Sequence, residues 1–144
     1  MSLPCELCVA NLGDVIIASP QWRVVLVDDP DYPGFCRVIW NAHVKEMTDL
    51  SDADKAILMQ VVWQVETAQR EVLQPHKINL ASFGNMVPHL HWHVIPRYVS
   101  DAHFPHPVWA AARTDNVDAA GLQARRTLLP RLRETISSSL TDLL

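Results

Sequence analysis

The sequence predicts an α+β domain in which an antiparallel β-sheet carries helices on one side. Two strand-turn-strand patterns, at residues 21–40 and 77–95, flank one long helical pattern at residues 51–73. The chain has 144 residues, of which 49% are hydrophobic and 19% are charged, a composition typical of globular proteins. A chain of this length buries about two-thirds of its unfolded surface. We therefore expect a single domain over residues 1–144.

The first hairpin is predicted by two runs of β-forming residues around a dense turn. Residues 21–27 are rich in β-branched and aromatic side chains, and residues 35–40 have the same character. Residues 28–34 between them hold prolines, aspartates and a glycine, which are typical of a turn. A weaker strand is predicted at residues 14–18, so three strands precede the helix.

The central helix is predicted by its N-terminal residues and by one apolar stripe. Ser51 is the expected N-cap, and Asp54 follows three residues later in a capping-box arrangement. Apolar residues then recur at helical spacing, at Ile57, Leu58, Val61, Val62, Val65, Ala68 and Val72. Pro75 ends the pattern. We expect a core helix with no catalytic role.

A second hairpin follows the helix. Residues 77–83 are predicted to form a strand, Gly84 and Asn85 a turn, and residues 89–95 the returning strand. Residues 100–109 are irregular and rich in aromatic and histidine side chains. These side chains either line a binding site or subunit contact, or pack in an ordinary loop.

The C-terminal part is predicted to be helical from residue 117 onward. Pro130 interrupts the pattern, and the serines at residues 137–139 suggest a frayed end. We expect residues 1–112 to form the core of the domain and residues 113–144 to form a helical extension.

Three histidines alternate with apolar residues in the last predicted strand. Because side chains of a β-strand repeat their direction every two residues, His89, His91 and His93 are expected to share one face. Neighbouring imidazoles then lie roughly 7 Å apart, a spacing that suits an extended anionic substrate. A single histidine is usually structural or exposed to solvent. Three in register predict a functional face.

The cysteines leave several interpretations open. Cys5 and Cys8 form a C-x-x-C motif that is typical of a metal site, a redox pair or two incidental thiols. Redox motifs of this kind normally lie between a strand and a helix, so zinc is the better hypothesis, and it needs two further ligands. Cys36 lies in an apolar run and is expected to be buried.

Charge and composition exclude several classes of partner. The net charge of −4 argues against a nucleic-acid polymer held by a general basic field. No apolar run approaches the roughly 20 residues that span a bilayer, so no membrane partner is expected. The first residues lack the basic and apolar regions of a signal peptide, which predicts a cytoplasmic protein without disulfides.

The run from His89 to Ile95, followed by Pro96 and Arg97, resembles the signature of the histidine-triad (HIT) family. The likeness extends from Cys5 to about Arg97 and includes a hairpin near a Pro-Gly pair, a helix, and a strand with an asparagine before the triad. The resemblance implies an antiparallel five-stranded sheet with one long core helix and a C-terminal helix. It also implies a homodimer that hydrolyses or transfers nucleoside phosphates through a nucleotidyl-histidine intermediate, without an organic cofactor.

The resemblance also implies roles for individual residues. His91 is the nucleophile that attacks the α-phosphate, and His93 donates to a non-bridging oxygen of that phosphate. The backbone carbonyl of His89 holds the other ring nitrogen of His91 and fixes its tautomer. Asn85 matches a family glutamine that contacts the phosphate, and Asn79 is a second expected substrate-binding residue.

A structural zinc site is the next implication of the resemblance. Many bacterial members of the family bind zinc through an N-terminal C-x-x-C motif, a histidine after the second hairpin strand and the first histidine of the triad. The matching residues are Cys5, Cys8, His43 and His89.

The sequence departs from the family pattern around the triad. Phe35 stands where the family often has a histidine, and Met86 replaces a hydroxyl residue that assists the leaving group in some members. The loop from Asn79 to Gly84 is shorter than usual, and Pro88 precedes the triad. These departures leave the substrate open between dinucleoside polyphosphates and nucleoside phosphoramidates.

Two other functions remain open. His91 and His93 are also spaced like the ligands of a catalytic zinc, with His103 or His106 as a third ligand. Alternatively, the protein is a non-catalytic nucleotide-binding protein, which the residues at positions 35 and 86 motivate.

Overall fold

The predicted strands form one five-stranded antiparallel sheet in the computed structural model, which describes residues 4–115 and 117–144. The strands are β1 (Asp14–Ala18), β2 (Trp22–Leu26), β3 (Cys36–Trp40), β4 (Lys77–Ala81) and β5 (His91–Arg97). Their order is β1-β2-β3-β5-β4, so β5 lies between β3 and the edge strand β4. The expected α+β class and five-stranded sheet are confirmed.

Four α-helices accompany the sheet in the described part of the chain. They are α1 (Glu6–Val9), α2 (Asp52–Leu73), α3 (Ala119–Thr127) and α4 (Leu129–Leu140). The predicted N-cap of α2 is present, since the backbone N–H of Asp54 donates to Ser51 Oγ at 3.1 Å. The helix ends at Leu73, and its C-cap Gln74 has a left-handed φ of 48° that turns the chain just before Pro75.

The main core lies between the sheet and the helices α2 and α4. Alternate residues of β3, namely Cys36, Val38 and Trp40, belong to this core together with the apolar stripe of α2. On β5, Trp92 and Val94 point to the same side. The opposite face of these two central strands therefore carries the residues between them, and no helix longer than one turn covers it among the described residues.

The C-terminal helical prediction holds with two differences. The chain forms two helices instead of one interrupted helix, and Pro130 lies in the first turn of α4, where a missing N–H costs little. The expected frayed end at residues 137–139 is wrong. Helix α4 continues to Leu140 because Ile136 and Leu140 are fully buried against α2 and the sheet.

The last strand begins later than the sequence predicts. Leu90 donates its N–H to the carbonyl of Val44 at 2.8 Å, beyond the end of β3, so regular pairing with β3 starts at His91. His89 consequently precedes the strand. His91 and His93 share one face of β5, as the sequence predicts, and His89 lies just outside the regular strand.

No helix in residues 4–115 and 117–144 combines the length and the apolar character needed to cross a membrane.

Candidate active site and metal cluster

His91 and His93 open into a cavity of about 430 Å³ on the sheet face opposite α2. The cavity, called here the histidine cavity, is walled by β3, β5, the turn after β4, one residue of α1 and one residue of the loop after β5. Its lining residues are Leu7, Arg37, Phe83, Gly84, Asn85, Met86, Val87, His91, His93 and Trp109. The volume and the mostly apolar lining are typical of a small-molecule site.

His91 is held by one ring nitrogen. Its Nδ1 lies 2.6 Å from the backbone carbonyl oxygen of His89. A carbonyl oxygen only accepts, so Nδ1 carries the proton and Nε2 carries the lone pair. Ser82 Oγ donates to the backbone carbonyl of His91 at 2.7 Å and fixes the strand there. Burial lowers the pKa of His91 although the hydrogen bond to His89 acts in the opposite direction.

His93 lies beside His91, with ring centroids 4.9 Å apart, and is enclosed by aromatic rings. Phe35 meets it edge-on at 5.7 Å and Trp109 at 5.1 Å. His93 Nδ1 is buried and has no hydrogen-bond partner in the structure. Burial, followed by the charges of His91 and Arg37, lowers the pKa of His93 to about 4.

Arg37 is a site residue that the sequence analysis missed. It lies directly opposite His93 in the β3–β5 ladder, so both side chains point to the cavity face. Its Nη1 donates to the backbone carbonyl of Leu12 at 3.3 Å. Burial lowers the pKa of Arg37 from its usual value. In the sequence, Arg37 is the one basic residue in the apolar run at residues 35–40, and this could have marked it as a site residue.

The structure brings one of the two expected asparagines to the cavity. Asn85 lines it, in a turn where Gly84 has a φ of +70°. Asn79 is absent from the lining, and its Oδ1 accepts from Arg97 Nη1 at 2.7 Å. Met86, which occupies the place of a hydroxyl residue, also lines the cavity but is 94% exposed.

Trp109 comes from the segment that the sequence predicts to be irregular. Its ring meets that of Phe83 edge-on at 4.9 Å, and both residues are more than half exposed. The loop that carries Trp109 is anchored by a buried ion pair, since Arg97 Nε donates to Asp101 Oδ2 at 2.7 Å. Burial alone raises the pKa of Asp101, but hydrogen bonds from Arg97 and three backbone N–H groups lower it to about 2.

The histidines proposed as extra metal ligands lie in that loop and away from the triad. His103 Nδ1 is 2.5 Å from the Tyr32 hydroxyl, and the two rings stack. His106 accepts from Arg97 through its backbone carbonyl. Among the described residues, neither joins His91 and His93 in a group of potential metal ligands. The structure therefore does not supply a third ligand for a catalytic zinc at His91 and His93.

Four other residues converge at the N-terminal end of the histidine run and form what is called here the metal cluster. Cys5, Cys8, His43 and His89 each offer one ligand atom, and these atoms all lie within 4.8 Å of one another. His89 Nδ1 is 3.4 Å from Cys5 Sγ, 3.5 Å from Cys8 Sγ and 3.3 Å from His43 Nδ1. The pair Cys8 Sγ and His43 Nδ1 is 3.4 Å apart.

These distances fit a tetrahedral zinc ion. Bond lengths of about 2.3 Å to sulfur and about 2.05 Å to nitrogen separate two nitrogens by roughly 3.3 Å and a sulfur from a nitrogen by roughly 3.6 Å. The second ring nitrogen of His89, Nε2, lies 2.6 Å from the carbonyl of Trp40, which fixes the ring with Nδ1 toward the cluster. Cys5 is the N-cap of α1 and Cys8 lies within its single turn, a helix that the sequence analysis did not predict.

Comparisons with known proteins agree on one family. The family model described as HIT domain matches residues 10–100. A protein named AP-4-A phosphorylase from Mycobacterium tuberculosis is 33% identical over 98 residues, covering 64% of this chain and 50% of that protein. The chain thus spans about half the length of the curated relatives it matches.

Solved structures share the fold. A histidine triad protein from Bradyrhizobium japonicum is 32% identical, with a TM-score of 0.65 over 90% of this chain and 96% of that chain. One from Sinorhizobium meliloti is 27% identical, with a TM-score of 0.70 over 86% and 90%. A zinc-bound histidine triad family protein from Mycobacterium smegmatis is 23% identical, with a TM-score of 0.53 over 83% and 86%, which shows the fold alone.

Proposed function

The chain belongs to the HIT domain family, and from that premise we propose that it is a nucleoside-phosphate hydrolase or nucleotidyl transferase that acts at an α-phosphate through a nucleotidyl-histidine intermediate. The observation that carries this proposal is the contact between His91 Nδ1 and the carbonyl of His89 at 2.6 Å. That contact leaves the lone pair on Nε2 of a residue that lines the cavity. A fixed tautomer and a lowered pKa keep this nitrogen available as a nucleophile at neutral pH.

In the proposed first step, His91 Nε2 forms a bond to the α-phosphorus. The bond from phosphorus to the leaving group breaks, and the leaving group departs with the electron pair and takes a proton from solvent. In the second step an acceptor attacks the same phosphorus, loses a proton to solvent and releases Nε2. We propose water or inorganic phosphate as the acceptor; the relative named AP-4-A phosphorylase motivates the second.

His93 has the second proposed catalytic role. Its buried Nδ1 has no partner, and an unpaired acceptor is tolerated more readily than an unpaired N–H. We therefore place the proton on Nε2, from which His93 donates to a non-bridging oxygen of the α-phosphate. Asn85 supplies a further donor from the turn beside it. Asn79 is proposed to act indirectly, through its hydrogen bond to Arg97.

The metal cluster is proposed to bind a structural zinc ion through Cys5, Cys8, His43 and His89, because the donor set and its distances fit that ion. A zinc ion in the metal cluster would link the N-terminal segment to the residue just before β5. Since the carbonyl of His89 orients His91, the ion supports the nucleophile through the protein backbone alone.

Assembly and location complete the proposal. Strand β4 is an edge strand of the sheet in this chain, and its outer backbone groups suit pairing with a second copy. We propose a cytoplasmic homodimer, and light scattering of the purified protein tests the dimer.

The test of the function is intact-protein mass spectrometry after rapid mixing with a panel of nucleoside phosphates. The panel holds diadenosine tetraphosphate, diadenosine triphosphate and adenosine phosphoramidate, each with and without inorganic phosphate. The expected result is a transient mass increase of one nucleoside monophosphate, located on His91 by peptide mapping. Turnover without any adduct, or an adduct on another residue, contradicts the mechanism. Nucleotide binding without turnover of any substrate favours the non-catalytic alternative.

A further inference from the structure

The histidine cavity contains one side chain with a permanent charge, and the proposed chemistry does not use it. Of the residues that line the cavity, only Arg37 is charged at every pH at which the protein is folded. It forms no ion pair in residues 4–115 and 117–144, and its recorded hydrogen bond goes to a backbone carbonyl at 3.3 Å. A half-buried cation without a counter-ion costs free energy unless a ligand supplies the negative charge.

Arg23, on the same face of the sheet, is an arginine whose hydrogen bonds give it a structural role. Arg23 of β2 donates to the carbonyl of Leu7 at 2.6 Å and to Asn41 Oδ1 at 2.8 Å, so its guanidinium joins three segments of the protein. Arg37 has no comparable set of partners. The five donors of its guanidinium are mostly available, and their planar fork matches the oxygens of a phosphate.

The register of the β3–β5 ladder offsets Arg37 from His91. Its partner across the ladder is His93, whereas the partner of His91 is Ile39, two residues further along β3. Two residues correspond to roughly 7 Å along a strand. The guanidinium carbon lies 6.0 Å from the centre of the Phe35 ring, the same ring that contacts His93 at 5.7 Å. Arg37 is therefore level with His93 and one side-chain position along the sheet from His91, whose pKa its charge also lowers.

We propose that Arg37 binds a phosphate of the substrate other than the one that His91 attacks, so that the enzyme prefers substrates with two or more phosphates over nucleoside phosphoramidates. The inference rests on the proposed function and selects one of its two substrate classes. The numbers of phosphates favour the polyphosphates, because a phosphoramidate has a single phosphoryl group, whereas a dinucleoside polyphosphate has further phosphates for Arg37 to bind.

The first test compares two substrates in three variants. Arg37→Met keeps the length of the side chain without its charge, and Arg37→Lys keeps the charge without the fork. Arg70→Met is the matched control, because Arg70 is exposed on α2, across the sheet from the cavity. For Arg37→Met we expect kcat/KM for diadenosine tetraphosphate to fall about 10- to 100-fold, the range for a hydrogen bond between charged groups. The loss for adenosine phosphoramidate is at least ten times smaller, and Arg37→Lys lies between wild type and Arg37→Met.

Equal losses for both substrates overturn the inference, because Arg37 then acts on the attacked phosphate or on the fold. Thermal unfolding of each variant checks the fold, and the lysine variant keeps the test valid where the methionine variant is unstable.

A binding measurement separates this inference from the proposed function. Calorimetric titration with ATP and with AMP needs no turnover, and the two ligands differ only in the phosphates beyond the first. We expect Arg37→Met to weaken ATP binding about tenfold more than AMP binding. Equal weakening overturns the role of Arg37 even if the His91 adduct is found. An ATP-selective loss without any adduct supports Arg37 and contradicts the catalytic proposal.

Discussion

The two ends of the histidine run use the same side chain in opposite ways. His89 is fully buried, and both of its ring nitrogens are engaged, one at the metal cluster and one at the carbonyl of Trp40. Two residues later, His91 has one nitrogen engaged and one free for chemistry. The difference arises because His89 lies just outside the regular strand, among the residues of the metal cluster, whereas His91 lies within β5 and lines the cavity.

This contrast shows how an immobile residue can support a reactive one. The backbone carbonyl of His89 accepts from His91 Nδ1 and so connects the two residues. A metal ion at His89 therefore affects the orientation of His91 without touching the substrate. Variants on either side of this link should give separable effects on activity and on stability.

The largest effect is expected for His91→Ala. Removing the proposed nucleophile leaves only binding and the donors around the phosphate, so turnover falls by at least about 1,000-fold. Steady-state kinetics with diadenosine tetraphosphate measure the loss. The zinc content stays as in wild type, because His91 contributes no ligand atom to the metal cluster. Near-normal turnover in this variant contradicts covalent catalysis at His91.

The reciprocal effect is expected for the double variant Cys5→Ser, Cys8→Ser. It loses zinc, as measured by mass spectrometry of the metal, and its unfolding free energy falls. With zinc at about 1,000 times its dissociation constant the loss is about 4 kcal/mol. Cys36→Ala is the matched control, since Cys36 is buried in the main core and keeps the metal cluster intact. Equal zinc content in all three proteins refutes a metal site at these cysteines.

The elements that the sequence predicts well are those with a strong local pattern. The cap at Ser51, the apolar stripe of α2 and the alternating residues of β3 are each decided by neighbours in the chain. The metal ligands come from the resemblance, because Cys5 and His89 are 84 residues apart and no local pattern connects them.

The features that sequence reasoning missed depend on pairing between distant segments. Arg37 becomes a cavity residue only through its register with His93. Trp109 reaches the cavity from a distant loop, which the ion pair of Arg97 and Asp101 helps to anchor. His89 precedes β5 because the N–H of Leu90 bonds to the carbonyl of Val44, a contact that the two-residue periodicity of a strand cannot predict.

A third, intermediate effect concerns pH and His93. Its pKa is about 4 in the folded protein and 6.5 as the ordinary value, so the unfolded chain takes up a proton first as the pH falls. The share of stability that depends on His93 is therefore lost between about pH 6.5 and pH 4, about 3 kcal/mol in all, and this share does not change further below pH 4. In the variant His93→Leu, this pH-dependent part of the unfolding free energy is absent. Urea unfolding of both proteins at several pH values measures the difference, and parallel pH profiles show that His93 is not the cause.

The smallest effect tests why His93 is so hard to protonate. Burial among aromatic rings is the largest cause and the charges of His91 and Arg37 add to it, while the buried Nδ1 has no partner that would stabilise the imidazolium. Phe35→His places a ring nitrogen in the position of the phenyl ring that now contacts His93. A nitrogen that accepts from Nδ1–H favours the imidazolium, so the pKa of His93 rises by about one unit, equivalent to about 1.4 kcal/mol.

Nuclear magnetic resonance titration of the histidine ring protons measures this shift, with Phe35→Leu as the control that removes the ring without adding a nitrogen. A rise in the histidine variant alone means that the missing partner holds the pKa down. A rise of equal size in both variants means that the phenyl ring acts by excluding water. If neither variant changes the value, the charges of His91 and Arg37 control His93, and the Arg37→Met variant is then the one that must raise it.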